Sequence, residues 1–185
     1  MEYLVLDLST NGGGDSAALL GLLGLLNNSN ATMSFNDVAN HFRTDSIYKV
    51  DINLDGKCDE IDVVEARKFS DLKIVLLISS VAFSCGNLLP SVLKDLGYMT
   101  IGEKTGGGSC AIMIGAMPDG AYYIRSSYKC LSDITGNNID SGVPVNVSLL
   151  KEPISQNGIM VNDYSNFYNI DYVYNVVTNL FEQLQ

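Results

Sequence analysis

Histidine is almost missing from this chain: His41 is the only one in 185 residues. Proton chemistry by an imidazole of this chain therefore rests on a single side chain. Basic residues are also few, 11 Lys and Arg against 21 Asp and Glu, which gives a formal net charge of −10. A field of that sign repels phosphate backbones and argues against nucleic acid as a partner. The four cysteines, Cys58, Cys85, Cys110 and Cys130, form no C-x-x-C pair, so the ligand spacing of a zinc site is absent. No apolar stretch reaches the roughly 18 residues that a membrane span needs. The longest, at residues 17–26 and 74–83, are about half that length and read as buried core elements. No signal-peptide pattern precedes the first apolar stretch. A chain that opens directly on a core strand is expected to be a C-terminal piece of a longer protein, with upstream domains.

What is present suits a single globular domain over residues 1–185: 46% hydrophobic residues and a slightly positive mean hydropathy. Residues 2–8 and 73–83 are rich in Leu, Val and Ile without alternation, the pattern of strands buried on both faces. Residues 98–102 and 145–149 read as further strands. A helix is expected to residue 26, N-capped by Asp15 or Ser16. Others are expected over residues 35–42, 61–69, 88–96 (closed by Gly97 at C′) and 171–184. Residues 111–117 and 121–128 form a candidate hairpin around Met117-Pro118-Asp119-Gly120. Cys110 and Cys130 flank it. They are read as two small buried residues, with a disulfide as the alternative. Strands and helices alternate, so the class is α/β.

Two segments carry chemistry. Asp7-Leu8-Ser9-Thr10-Asn11-Gly12-Gly13-Gly14 ends the first strand in glycines, which let the backbone approach a substrate and aim N–H groups at it. The same glycines, with Asp15-Ser16-Ala17, also fit a dinucleotide fingerprint. Asp15 would then face the pyrophosphate, and no second strand ends in an acidic residue at the required distance, so that reading is disfavoured. The second segment, Ser84-Cys85-Gly86-Asn87, lies between an apolar strand and a helix. A serine there meets the N–H groups of a helix start, which can stabilise an oxyanion.

Together these motifs resemble the core of the S41 serine peptidases, the C-terminal processing and tricorn-like proteases. The form FSCGN with the later GEKTGGGSCA is similar to a Firmicutes-type branch. The resemblance covers residues 4–26 and 72–149. It implies a crotonase/ClpP-like spiral β-β-α core and a serine-type peptidase acting on unstructured polypeptides or C-terminal tails. It maps the nucleophile to Ser84, and the oxyanion donors to the N–H of Cys85 and that of Gly13 or Gly14. Processing proteases carry a lysine base in the loop after Gly-Glu-x-Thr-x-Gly; that position is Gly108 here, so the Ser–Lys dyad is absent. Tricorn-like enzymes place a histidine before the Asp-Leu-x-x-Asn strand and orient it with a late acidic residue, for which Asp140 is the candidate. His41 falls outside that pattern. The base is therefore expected from outside these residues, leaving this piece alone inactive or nearly so. The alternative is an inactive, peptidase-like peptide-binding module, toward which Asn87 in place of the family's glutamate and Gly108 in place of its lysine weigh.

A third motif lies within residues 28–70, read as an insertion. Asp51, Asn53, Asp55, Asp59 and Asp62 stand at loop positions 1, 3, 5, 9 and 12, Lys57 offers its carbonyl at 7, and Gly56 sits at 6. Calcium takes six to eight hard oxygens, and a glycine permits the sharp turn between them. Aspartate at position 12 is similar to dockerin-type loops. With one such loop rather than two, the expectation is a structural calcium; a solvated acidic turn is the plainer reading. Calcium use and family habit imply an extracellular or cell-envelope location, with the cytoplasm left open.

Overall fold

The structure is a computed structural model that describes residues 3–69 and 72–183. In chain order the elements are β1 (Tyr3–Asp7), α1 (Ser16–Leu26), β2 (Asn30–Asp37), β3 (Phe42–Lys49), α2 (Glu60–Arg67), β4 (Lys73–Ile78), α3 (Cys85–Asp95), β5 (Met99–Gly102), β6 (Cys110–Ala116), β7 (Tyr122–Ser132), β8 (Val147–Ser148), β9 (Lys151–Gln156), β10 (Ile159–Asp163), a 3-10 turn (Ser165–Tyr168) and α4 (Ile170–Glu182). This is a mixed α/β fold with parallel and antiparallel sheets.

The parallel sheet runs β1-β4-β5-β8. Its centre is β4, whose side chains alternate between two cores. Ile74, Leu76 and Ile78 face α1 and α3 with Leu19, Leu23, Leu88 and Leu93. Val75 and Leu77 face α4 with Val173, Val177 and Leu180. Burial on both faces is why KIVLLI carries no polar alternation. Each fully buried aliphatic side chain here contributes roughly 1.5–3 kcal/mol of transfer free energy. Asp15 caps α1, its carboxylate accepting the Ala17 N–H at 2.8 Å. Gly97, at φ +95°, ends α3 as the C′ residue, with Tyr98 N–H returning to the Leu93 carbonyl.

The second sheet is antiparallel, β3-β2-β7-β6. It corrects one expectation. Residues 35–42 are not a helix: they finish β2, turn through His41 at φ +58°, and begin β3. β2 pairs along its length with β3, and its last four residues pair with the Lys129–Ser132 end of β7. Half of the stretch read as an insertion is therefore woven into this sheet, and Ala31 and Met33 enter the main core. The hairpin of β6 and β7 forms as expected. Its backbone register sets Cys110 opposite Cys130; the side chain of Cys110 lies outside the described residues. β9 and β10 form a separate two-stranded hairpin turned by Asn157 and Gly158, both at positive φ.

Candidate active site

The C-terminal ends of β1, β4 and β5, neighbours in the parallel sheet, release three loops side by side. In open α/β sheets this end is where ligands bind. The loops are tied together by backbone. Phe83 N–H donates to the Asn11 carbonyl at 3.1 Å, Gly106 N–H to the Ala82 carbonyl at 2.9 Å, and Ser84 N–H to the Gly107 carbonyl at 3.1 Å.

Ser84 stands where these loops meet. It is half-buried, at φ +55° and ψ −120°, immediately before α3. A non-glycine residue at positive φ is strained by about 1–3 kcal/mol and persists only when its surroundings fix it. Here they do: besides its own N–H, the Ser84 carbonyl accepts the N–H groups of Asn87 and Leu88 at 2.9 Å. The turn presents the hydroxyl rather than using it, since Ser84 makes no side-chain capping bond to α3.

Gly13 is the residue brought against it. A Cβ at Gly13 would lie 2.8 Å from Ser84 Cβ, 2.9 Å from the Phe83 carbonyl and 3.3 Å from Ser84 Oγ. Its φ of +108° also lies in the glycine region. The Gly13 N–H is engaged by the Asn11 side chain at 2.9 Å. The N–H groups of Gly14 and Cys85 have no acceptor among the described residues. Cys85 Sγ contacts the Gly14 carbonyl at 3.2 Å, which joins the segments carrying those two donors. Beside them lies a cavity of about 150 Å³ walled by Ala18, Leu19, Leu22 and Leu89.

Asp140 stands one layer behind. A Cβ on Gly107 would meet the Asp140 carbonyl at 2.0 Å. The exposed Asp140 carboxylate accepts the Ser109 N–H at 3.0 Å. The sequence motifs therefore bring Ser84, Cys85, Gly13 and Gly14 together, with Asp140 adjoining through Gly107. His41 does not join them: it lines a separate cavity with Asp37, Val38 and Phe42. Lys94 does not either, since it sits in the last turn of α3 with its ammonium donating to the Pro144 carbonyl.

Sequence reasoning missed three residues of the site. Asn11 holds both the Gly13 N–H and the Phe83 N–H; its place in the Asp-Leu-x-x-Asn motif was the available signal. The Phe83 ring lies where a side chain on Gly108 would start, 2.5 Å from a Cβ there. An aromatic ring thus fills the space that any side chain at position 108 would need. Asn87 is fully buried, donating to the Ile139 carbonyl at 3.0 Å and accepting from Thr105 Oγ1 at 2.5 Å.

The calcium-like loop is closed by its own N–H groups. Asp51 accepts from Asp55 at 3.2 Å and Gly56 at 2.7 Å, Asn53 from Asp55 at 3.0 Å, and Asp55 from Lys57 at 2.9 Å. Asp59 caps α2 through the Ile61 N–H. Asp62 is 1% exposed, with one oxygen on Ile52 and Asn53 N–H and the other on Asp59 N–H. The Asp59 N–H holds the Asp62 carboxyl below its ordinary range, aided by Asn53 and Ile52 and opposed by burial. The donor chemistry fits a hard cation, but this arrangement does not. Both Asp62 oxygens serve N–H groups, and among the described residues no three His, Cys, Asp or Glu side chains gather for a metal ion.

Fold and site together are those of an α/β protein that presents a strained serine at a strand-to-helix turn beside a glycine loop. The family model for peptidase family S41 matches residues 1–148, and the chain belongs to that family. Among solved structures it is similar to the photosystem II D1 C-terminal processing protease: TM-score 0.59, 24% identity, over 79% of this chain and 34% of that one. It is also similar to mature CPAF complexed with lactacystin (0.61, 17%, 96% and 45%). A lipoprotein from Streptococcus agalactiae gives 0.56 at 17%, over 80% and 50%. The chain thus spans a third to a half of the length of these neighbours. No curated protein matches it. Among the described residues no helix is long and apolar enough to cross a membrane.

Proposed function

We propose that this chain carries the nucleophile half of a serine peptidase site that cleaves unstructured polypeptide or C-terminal tails, on a crotonase/ClpP-like core. The observation that carries the reading is the strained Ser84 with Gly13 packed against its side chain. Ser84 Oγ attacks the scissile carbonyl and loses its proton to a base. The tetrahedral oxygen is held by the N–H groups of Cys85 and of the glycine loop. Gly14 is the free donor; Gly13 serves if Asn11 releases it. The leaving amine takes the proton back from the base, and a water activated by the same base then cleaves the acyl-serine ester, releasing the carboxylate and restoring the Ser84 hydroxyl. With Gly108 at the lysine position and His41 in a separate cavity, the base in this reading is supplied from outside these residues, with Asp140 beside its approach. The small apolar cavity next to Gly14 suits a substrate side chain of modest size.

The test is hydrolysis of an unfolded polypeptide by the longest native form of the protein, beside Ser84→Ala. Loss of at least about a thousandfold in kcat/KM with an unchanged melting curve is expected. No activity in either form, with the fold intact, favours the second reading, an inactive peptide-binding module. The Phe83 ring over Gly108 is the observation on its side.

We also propose that calcium, where bound, is structural. The support is the spacing of Asp51, Asn53, Asp55, Lys57, Asp59 and Asp62 around Gly56; binding requires Asp62 to leave its three N–H groups. A chelator is then expected to lower the melting temperature by several degrees, since a ligand of the native state stabilises by mass action. A melt unmoved by either chelator or added calcium returns the loop to a solvated acidic turn. A cell-envelope or extracellular location belongs with this reading, as does the description of one structural neighbour as a lipoprotein.

A further inference from the structure

The antiparallel sheet has two edges of opposite character. The β3 edge carries Arg43, Asp45 and Lys49, with Arg43 and Asp45 paired at 2.6 Å. The β6 edge reads Cys-Ala-Ile-Met-Ile-Gly-Ala and holds no charge and no proline. β6 pairs with β7 alone, so its outer row of N–H and C=O groups is unpaired among the described residues. Native edges are normally blunted by charge or proline because an open one recruits another strand. This one is open and apolar. Ile112 and Ile114 are 64% and 67% exposed. The residues opposite Ile114 and Ala116, Ile124 and Tyr122, continue the apolar strip on the same face.

The open edge also begins at the candidate site. The Gly107 carbonyl holds the Ser84 N–H, the Ser109 carbonyl takes the Leu131 N–H at 2.6 Å, and β6 starts at the next residue. The three residues from Gly107 to Cys110 span at most about 11 Å. We infer that an extended polypeptide adds as a strand to the free edge of β6, with alternate apolar side chains on Ile112 and Ile114, and is led by it to Ser84. Main-chain bonds would supply affinity and alternate side chains selectivity, the logic of strand addition. The inference rests on the peptidase reading for its choice of occupant. Continuity with the Ser84 turn favours a substrate strand over a second copy of this chain.

The test is binding, measured by fluorescence anisotropy on the Ser84→Ala chain so that nothing is turned over. The probe is a fluorescein-labelled peptide of alternating valine and threonine, compared with the same peptide N-methylated at its central amides. Methylation is expected to weaken binding about tenfold or more, because it removes the bonds that a strand edge makes. Ile112→Lys with Ile114→Lys should weaken the unmethylated probe similarly. Both side chains are exposed, so the melting curve should hold. Ile47→Lys, on the far strand and 73% exposed, should leave binding unchanged. No binding of the probe, equal binding of the methylated peptide, or equal binding by the double lysine variant overturns the proposal. Failure of the peptidase reading shows separately: a probe held by β6 yet uncut by the native protein leaves docking standing without catalysis. Cleavage indifferent to β6 does the reverse.

Discussion

Gly13→Ala is expected to lower polypeptide hydrolysis about a hundredfold or more, the scale of losing one oxyanion contact. The new methyl group would sit 2.8 Å from Ser84 Cβ and 2.9 Å from the Phe83 carbonyl, so either the serine or the glycine loop must move. The φ of +108° adds backbone strain on the same side. Ser84 is itself strained and held by three backbone bonds, so its geometry has little room to adjust. The neighbouring glycines provide the controls. A Cβ on Gly12 or Gly14 meets nothing within 4 Å, and neither has a positive φ. Gly12→Ala and Gly14→Ala keep their N–H groups and are expected to stay within severalfold of wild type. The measurement is kcat/KM for all three, with melting curves. Equal loss across the three variants, or none in Gly13→Ala, would remove Gly13 from contact with the reacting serine.

The elements of the parallel sheet were legible because each is specified locally. The β4 run is apolar without alternation, Asp15 has its side-chain acceptor at the start of α1, and Gly97 has its left-handed place after α3. The turn at Ser84 was legible for the same reason, as small residues between a strand and a helix. β2 was not. Its sequence, Asn-Ala-Thr-Met-Ser-Phe-Asn-Asp, is polar and short of strand formers. It is a strand because β3 lies on one side and the Lys129–Ser132 end of β7 on the other, a pairing about a hundred residues away that no local pattern reports. β9 and β10 are a different case: Asn157-Gly158 between two apolar-bearing runs is a hairpin signal that was present in the sequence. Within the site, Gly13, Cys85 and Ser84 followed from motif position. The packing of Phe83 on Gly108 depends on tertiary approach and could be seen only in space.

Asn87 gives the second large effect. The resemblance puts glutamate at this position, and its replacement weighs toward a site that has lost catalysis. The geometry supplies another reason for asparagine. Its amide donates to the Ile139 carbonyl and accepts from the Thr105 hydroxyl, which in turn accepts the Val143 N–H at 2.5 Å. One fully buried side chain thus joins α3 to the Gly106–Gly107–Gly108 loop and to the turn bearing Asp140. Asn87→Leu keeps the volume, leaves the Thr105 O–H without its acceptor and takes one of two donors from the Ile139 carbonyl, which keeps the Gly142 N–H at 3.0 Å. At about 1–3 kcal/mol for a buried group left unpaired, the loss is about 2 kcal/mol. In a chain of this size that lowers the melting temperature by about 4–8 °C. Hydrolysis should fall with it, because the same loop places the Gly107 carbonyl that holds the Ser84 N–H. Asn87→Asp should do no better, since a carboxylate cannot donate to Ile139 and would bring an unpaired charge into the core. If Asn87→Leu melted like wild type, the network would not brace the site, and the missing glutamate would again count against catalysis.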